Sequence, residues 1–438
     1  MAGQSSTTGR KTSLPAIILI GLGAFLITLA LALVFFVVPS QKKTPLDINS
    51  TTVTETVDGT VLVGRALASG TPTDMNADKP ECRPAGGEEG EGAEGEGAEG
   101  EAAEGEEGEG AEGGAADAEI PVSCFIDAGI PMYSQRRVQA VEPSDGDVIT
   151  LQAAQSLMRE DIAGSDGVEG LINASVDRIT LDRVSSEPVD EPTSTLQMTT
   201  TGDPEADAPT GFVREGLQYK FPFDAEQKDY DYFDASTFTT NPISFVGETE
   251  IKGIKAYEYR QDLGPIDMWS SIRDHFSSIS TGYDQRVESI LASYRREGQK
   301  AGVWGLEGDP ERDVDMRRYY TNTRQIWVNP ETGQIIDGKE DIFQFFAPSQ
   351  EEADEFFADK AAVEEEIANP TRTAVRFQSG WNEETHEATG AAAQQTQDTL
   401  NTFGRIVPIV LGVLGVLSLV IGLVLGMRGG RGGRTARA

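Results

Sequence analysis

Two uncharged apolar runs, Leu14–Val38 and Ile406–Met427, constrain this chain more than any other feature. As helices they measure about 37 Å and about 33 Å, enough to cross a hydrocarbon core of about 30 Å. Core helices of soluble domains rarely lack charge over such lengths, so both runs are read as transmembrane helices, at 14–38 and 406–427. The first is longer than a signal-peptide core and ends in Val34-Phe35-Phe36-Val37-Val38, not in a small-residue cleavage site, which makes it an uncleaved anchor. Four arginines, Arg428, Arg431, Arg434 and Arg437, follow the second run and only Arg405 precedes it. That excess of positive charge places the C-terminus in the cytoplasm. With two spans, segments 1–13 and 428–438 both lie inside, and residues 39–405 form one exported domain on the outer side of a plasma membrane. Small residues four apart, Ala24, Thr28 and Ala32 on the first helix and Ser418, Gly422 and Gly426 on the second, mark faces through which the two helices are expected to pack.

Charge separates this middle segment from the ends. The chain has 72 acidic and 36 basic residues, a net charge of −36, and every acid lies between the two apolar runs. So acidic a segment repels phosphate backbones, which excludes nucleic acid as a partner; the basic tail is explained by membrane topology. The only cysteines, Cys82 and Cys124, both fall in the exported part. An even pair in an oxidising compartment implies one disulfide, with two free thiols as the alternative; a two-cysteine metal site lacks the ligand spacing. Between them runs "GGEEGEGAEGEGAEGEAAEGEEGEGAEGGAADAE" (86–119). Such a stretch has too few apolar side chains to offset the entropy of ordering and is read as a disordered insertion, with weak cation binding the less favoured role. A Cys82–Cys124 bridge would tie its feet together, contributing up to about 4 kcal/mol of chain entropy.

Elsewhere short alternating runs dominate. "TTVTETVDGTVLVGRAL" reads as a hairpin turning at Asp58-Gly59, and "INASVDRITLDRV", "GLQYKFPFD", "SFVGETEIKGIKAYEYRQ" (with Gly247 and Gly253 at turns), "TRQIWVNP" and "GQIIDGKEDIFQFF" read as further strands. Asn329–Gly333 is the loop between strands at Gln325–Val328 and Gln334–Asp337, with Pro330 presetting φ, Gly333 accepting positive φ and Trp327 burying its ring. One helix is expected over Asp284–Glu297. A second begins at a Ser349/Glu352 capping box and runs to Pro370, and a stalk over 386–403 leads into the second anchor. Residues 187–211, rich in Pro, Thr and acids, read as a linker. The expected fold is an α+β membrane protein in which two transmembrane helices flank a mainly antiparallel β domain with a few helices.

No catalytic chemistry is announced. The two histidines are far apart: His386 in the stalk reads as a solvated surface histidine and His275, in a polar stretch, likewise, and the sequence has no H-E-x-x-H, G-x-S-x-G, phosphate-binding loop or dinucleotide fingerprint. The carboxylate clusters Asp145/Asp147, Asp229/Asp231/Asp234 and Asp309/Asp313/Asp315 fail the calcium-loop pattern and read as acidic turns. Asn173-Ala-Ser175 fits a glycosylation sequon. The expectation is a protein that is not an enzyme and uses no metal or cofactor.

Several longer segments together carry a resemblance. "VPSQKKTPLDINSTTVTETVDGTV" after the first anchor, "VDRITLDRVSSEPVD", "REGLQYKFPFDAEQKDYDYFDAST", "FVGETEIKGIKAYEYRQ", "RYYTNTRQIWVNPETGQIIDGKED" and the closing anchor resemble the actinobacterial two-anchor envelope proteins of unknown function, some of which are labelled "porin PorA". The acidic run and 266–312 stand outside that resemblance. It implies a cell-envelope protein without assigning site residues. The layout, a β domain held at both ends, is also that of the class B scavenger receptors, an analogy of architecture alone. The first expectation is therefore an exported domain that binds or hands on a ligand such as an envelope lipid. A porin-like channel component acting as an oligomer is the second, and a structural or assembly protein of the envelope the third. Its partners are the lipid bilayer and an envelope lipid or envelope proteins.

Overall fold

The computed structural model describes residues 14–83, 120–162, 170–198, 210–279 and 285–429. The acidic insertion, both chain ends and part of the expected linker lie outside these residues. The chain begins with helix α1 (Leu14–Ala32), extended through a π turn into the short α2 (Val38–Gln41). Strands β1 (Asn49–Val53) and β2 (Val57–Leu62) lead to α3 (Gly64–Ser69), and then come β3 (Ile126–Val141), β4 (Val148–Arg159), β5 (Leu171–Asp182) and β6 (Thr195–Gln197). After β7 (Tyr230–Asp234), β8 (Thr239–Ile251) and β9 (Ile254–Asp267), helices α4 (Met268–Ser278) and α5 (Gln285–Ala292) precede β10 (Arg295–Lys300). The long hairpin β11 (Asp313–Val328) and β12 (Ile335–Ala347) is followed by α6 (Gln350–Ala358), α7 (Lys360–Ala368) and β13 (Thr373–Gly380). Helix α8 (Glu383–Asn401) then runs through a π turn into α9 (Val407–Gly429).

All thirteen strands of the described residues join one antiparallel sheet in the order β6-β5-β4-β3-β2-β13-β12-β11-β9-β8-β7, with β1 also on β3 and β10 also on β11. The sheet curls until its edges approach. Residues 210–220 span the gap: Phe212 bridges Ser194 beside β6, Arg214 pairs with Asp177 on β5, and Leu217 bridges Tyr232 on β7. Helices α6 and α7 cover the convex side, where Phe345 and Phe343 pack on Ala353 and Phe356.

Turn chemistry places the hairpins. β8 and β9 turn at Lys252-Gly253, both at positive φ, as a two-residue hairpin turn requires, and Gly247 sits at a bulge. At the tip of β11–β12 the Asn329 side chain accepts the Glu331 and Thr332 N–H groups, and Gly333 has φ +69°. A Cβ on Gly333 would lie 2.0 Å from the Phe221 carbonyl oxygen, so glycine alone fits there. The loop is formed as its sequence implies, but the strands are far longer, and Trp327 is half-buried while its neighbour Ile326 is buried.

Other local expectations fail for identifiable reasons. Asp58-Gly59 does not turn: β2 is a central strand paired with β3 and β13, and Gly59 leaves room for Met132, whose sulfur would sit 2.3 Å from a Cβ there. Strands β3 and β4 escaped the pattern reading altogether. Residues 216–224 form an irregular crossing instead of a strand. The helix expected over Asp284–Glu297 stops at Ala292, because Arg295–Lys300 gains a strand partner in β11. The capping box at Ser349 is made, with Ser349 accepting the Glu352 N–H, but Asp359 caps a second helix and divides the segment in two. The stalk lies docked, not free, in its first turns: Thr385 exchanges hydrogen bonds with the Val53 backbone, and Thr389 donates to the Ile336 carbonyl.

Two helical stretches, Leu14–Gln41 and Glu383–Arg428, are long and apolar enough to cross a membrane. They pair antiparallel: a Cβ on Gly23 would lie 2.6 Å from the Gly415 carbonyl, one on Gly422 2.9 Å from Ile20, and one on Gly404 3.4 Å from Val38. The second helix uses a face that includes Gly415, Ser418, Gly422 and Gly426. On the first helix the expected face is not the contact. Ala24 and Thr28 are exposed, Ala32 is half-buried, and Ala16, Gly23 and Ala30 are buried instead. These last three repeat every seven residues, the period of two helices that wind around each other, whereas a four-residue spacing drifts off the seam.

Candidate functional site

The concave face of the curled sheet is not a uniform apolar core. Along β11 the side chains of Tyr320, Asn322 and Arg324 share the phase of the apolar Val314, Met316, Ile326 and Val328, so a strand packed at both ends carries a polar middle. β12 adds Glu340, β3 adds Arg136, β4 adds Gln155, and the crossing segment adds Gln218 and Tyr219. With Tyr320 and Arg324 of β11 these residues line a cavity of about 100 Å³, room for several water molecules.

Arg324 is its electrostatic centre. Its guanidinium donates to Glu340 at 2.7 Å, to Asp234 at 3.0 Å and to the Gln261 side-chain oxygen at 2.7 Å. Asp234, fully buried, also accepts from the backbone of Ser236 and Thr237 and from the Tyr320 hydroxyl at 3.2 Å. Asn322 links Tyr320 to Glu340. Burial alone would lower the Arg324 pKa, but Glu340 and Asp234 hold it well above its ordinary value. Burial likewise pushes Glu340 up, and the Arg324 and Arg136 charges outweigh it, holding that carboxyl below its usual range. Both groups are therefore charged at neutral pH.

A second centre closes the sheet edges. Arg214 and Asp177, both buried, pair through both guanidinium nitrogens at 2.6 and 2.9 Å, and the Tyr219 hydroxyl and Gln218 complete the set. Burial raises the Tyr219 pKa well above its ordinary value, helped by Asp177, so its hydroxyl stays a donor. Between the centres stands Arg136, whose side chain, among the described residues, bonds the neutral Gln155 at 2.9 and 3.0 Å and lies over the Tyr219 ring. The lumen is thus polar at its centre, doubly charged and anchored from both sheet edges.

None of the residues singled out from sequence lines it. Cys82 and Cys124 are bonded to each other, with their Cα atoms 5.4 Å apart, and pack with Ile120 and Phe125 at the feet of the acidic insertion. The six small residues lie on the terminal helices. His275, read as a surface residue, is wedged between Phe212 and Phe238 at ring distances of 4.6 and 4.3 Å, and burial, with the Arg214 charge, lowers its pKa to about 4. His386, also read as solvated, meets Asp337 at 2.7 Å where α8 docks on β12. The described residues contain no cluster of three or more His, Cys, Asp or Glu side chains able to hold a metal. Reading the sequence missed Arg136, Arg214, Asp177 and Glu340, and took Asp234 for part of an acidic surface turn. Their one visible signal is a charge standing in the apolar phase of an alternating strand, as Arg324 does.

Comparison with known proteins gives a consistent result. The profile of the family described as "Porin PorA" matches residues 15–424, nearly the whole chain. A Porin PorA of Corynebacterium resistens is 36% identical over 394 residues, covering 85% of this chain and 86% of its own length. A Porin PorA of Corynebacterium amycolatum is 36% identical over 365 residues, covering 83% and 86%.

Proposed function

This chain belongs to the Porin PorA family, and from that premise we propose that it is a channel component of a cell envelope whose β domain, not its helix pair, handles the solute. The observation that carries the reading is the polar lumen: Arg136, Gln155, Gln218, Arg324 and Glu340 face a common cavity inside a nearly closed sheet. The alternative of an exported domain that hands on a lipid asks for a continuous apolar tunnel, whereas this cavity is of mixed character, with two guanidiniums and a carboxylate set among Phe233, Ile326, Ile342 and Phe377. At about 100 Å³ it also falls below the roughly 300–1,000 Å³ typical of sites that enclose a drug-sized ligand.

Membrane physics then dictates how such a protein conducts. The terminal helices expose Leu, Ile, Val and Phe on nearly every side not used for pairing, so two of them enclose no water. The convex side of the sheet is partly covered by α6 and α7, unlike a barrel that faces lipid. Conduction therefore requires several copies, with the exported domains lining the aqueous path and the helices serving as anchors in the plasma membrane, both ends cytoplasmic. The chain is not an enzyme in this reading.

The test is conductance of the purified full-length protein in planar bilayers, alongside Arg136→Glu. The variant reverses one lumen charge at a residue that, among the described residues, hydrogen-bonds Gln155 and acts on Glu340 and Tyr219 through its charge, leaving the ion pairs of the Arg324 and Arg214 centres in place. It should keep the protein folded and shift the ratio of cation to anion permeability several-fold toward cations. Conductance with unchanged selectivity would place the path outside this lumen, and no conductance at any protein density would remove the channel reading.

A further inference from the structure

We propose that Arg296 and Arg318 form a binding site for a phosphate group, free or carried by a lipid head group. The site is distinct from the lumen centres. In the pairing of β10 with β11, Arg296 stands opposite Met316, and the Arg318 N–H donates to the Tyr294 carbonyl at 2.9 Å. The two arginines are therefore diagonal neighbours on one face, with Cβ atoms about 7 Å apart. Both are half-buried, and the Nε of each is buried with no hydrogen-bond partner. Among the described residues neither guanidinium has a carboxylate.

The opposite face of the same two strands shows what the fold does when it intends structural arginines. There Arg295 pairs with Glu297, Arg317 pairs with Asp267 at 2.8 Å, and both stack over Trp269. Carboxylates are plentiful in a chain with 72 of them, so their absence beside Arg296 and Arg318 among the described residues is a feature of that face. Burial lowers the pKa of Arg296; it also lowers that of Arg318, where the neighbouring Arg296 charge adds to the effect. A guanidinium does not shed its proton in proteins, so the strain of two like charges persists until an anion arrives.

The chemistry of the missing anion follows from the donors. Two guanidiniums offer two planar forks, which a tetrahedral oxyanion with several oxygens can satisfy together, whereas a single carboxylate fills one fork. The flanks are apolar: Arg318 lies 5.6 Å from the Tyr294 ring centroid, and Met316 packs with Trp304 and Phe346. That setting accepts a phosphate whose substituent is hydrocarbon as readily as inorganic phosphate.

The experiment uses full-length protein in neutral detergent and phosphate-free buffer. Inorganic phosphate is titrated by calorimetry, and nanodiscs of dioleoylphosphatidylglycerol are probed for lipid retained in native mass spectra. The expected result is saturable binding of one of the two probes, weakened at least tenfold by R296Q and by R318Q. The same variants should melt at or above the wild-type temperature without phosphate, because each relieves a repulsion. Binding of inorganic phosphate identifies a free oxyanion, and retention of phosphatidylglycerol alone identifies a head group. The proposal falls if neither probe binds saturably or if both variants bind as wild type. It falls equally if the variants melt lower in phosphate-free buffer, since that would show the arginines already have structural partners.

Discussion

Two arginine sites on one face of β11 have opposite electrostatics. Arg324 donates to Glu340, Asp234 and Gln261, and every charge there is answered. Six residues earlier on the strand, Arg318 has a like charge for its neighbour and no carboxylate. Buried ion pairs fix geometry at small net gain, and breaking one strands the partner. The first centre therefore holds the curled sheet in shape, linking β7, β9, β11 and β12, while the second stores unfavourable energy that a ligand can release.

The largest expected effect comes from breaking the answered centre. Arg324→Met should destabilise the protein by about 3–5 kcal/mol, because Asp234 and Glu340 are left as buried carboxylates without a cation. Denaturant unfolding of the β domain followed by tryptophan fluorescence measures it. Arg318→Met, the matched change at the unanswered site, should have the opposite sign. If both variants lose stability equally, the distinction between the two sites is wrong.

A buried group with no partner can also escape by discharging, as His275 does. Its pKa of about 4 lies below the ordinary value of about 6.5, so between those values the unfolded chain binds more protons than the folded one. Stability conferred by the neutral ring is complete above about pH 6.5 and is lost as pH falls toward 4, by at most about 3 kcal/mol and by less to the extent that solvent screens the half-buried ring. His275→Phe should flatten that part of the profile. An unchanged slope would mean that the ring is charged in the folded state.

The contrast also explains what the sequence could disclose. Hairpins with their own turn chemistry, Lys252-Gly253 and Asn329–Gly333, were legible, as were the Ser349 cap and the two apolar helices, because each signal is local. β3 and β4 were not. Arg136 and Gln155 face the lumen while Arg137 and Ala154 face away, so polar residues occupy both phases and the alternation disappears. The Arg324 centre draws Asp234, Gln261 and Glu340 from separate strands, and only the register of β9, β11 and β12 brings them together. On α1 the small residues at 24, 28 and 32 were visible, but the seam follows a seven-residue period set by the partner helix.

Lys220 lies between the two extremes and gives the finest test. Its ammonium is buried, donates to the Phe221 carbonyl at 2.9 Å and sits 4.1 Å from the Phe223 ring centroid, with no carboxylate paired to it. Burial lowers its pKa to about 7, against an ordinary value of about 10.4. The folded state therefore resists protonation: stability rises from about pH 7 to about pH 10.4, and below pH 7 the charged form carries its full desolvation penalty. Lys220→Met keeps the apolar stem and removes the charge, and the Phe221 carbonyl still accepts from the Ser186 hydroxyl at 3.1 Å. The variant should be more stable than wild type at pH 6 and lose that advantage by pH 10, read as melting temperatures at the two pH values. An equal effect at both would show that the carbonyl and the ring satisfy the ammonium fully, and partnership in this domain would then extend beyond carboxylates.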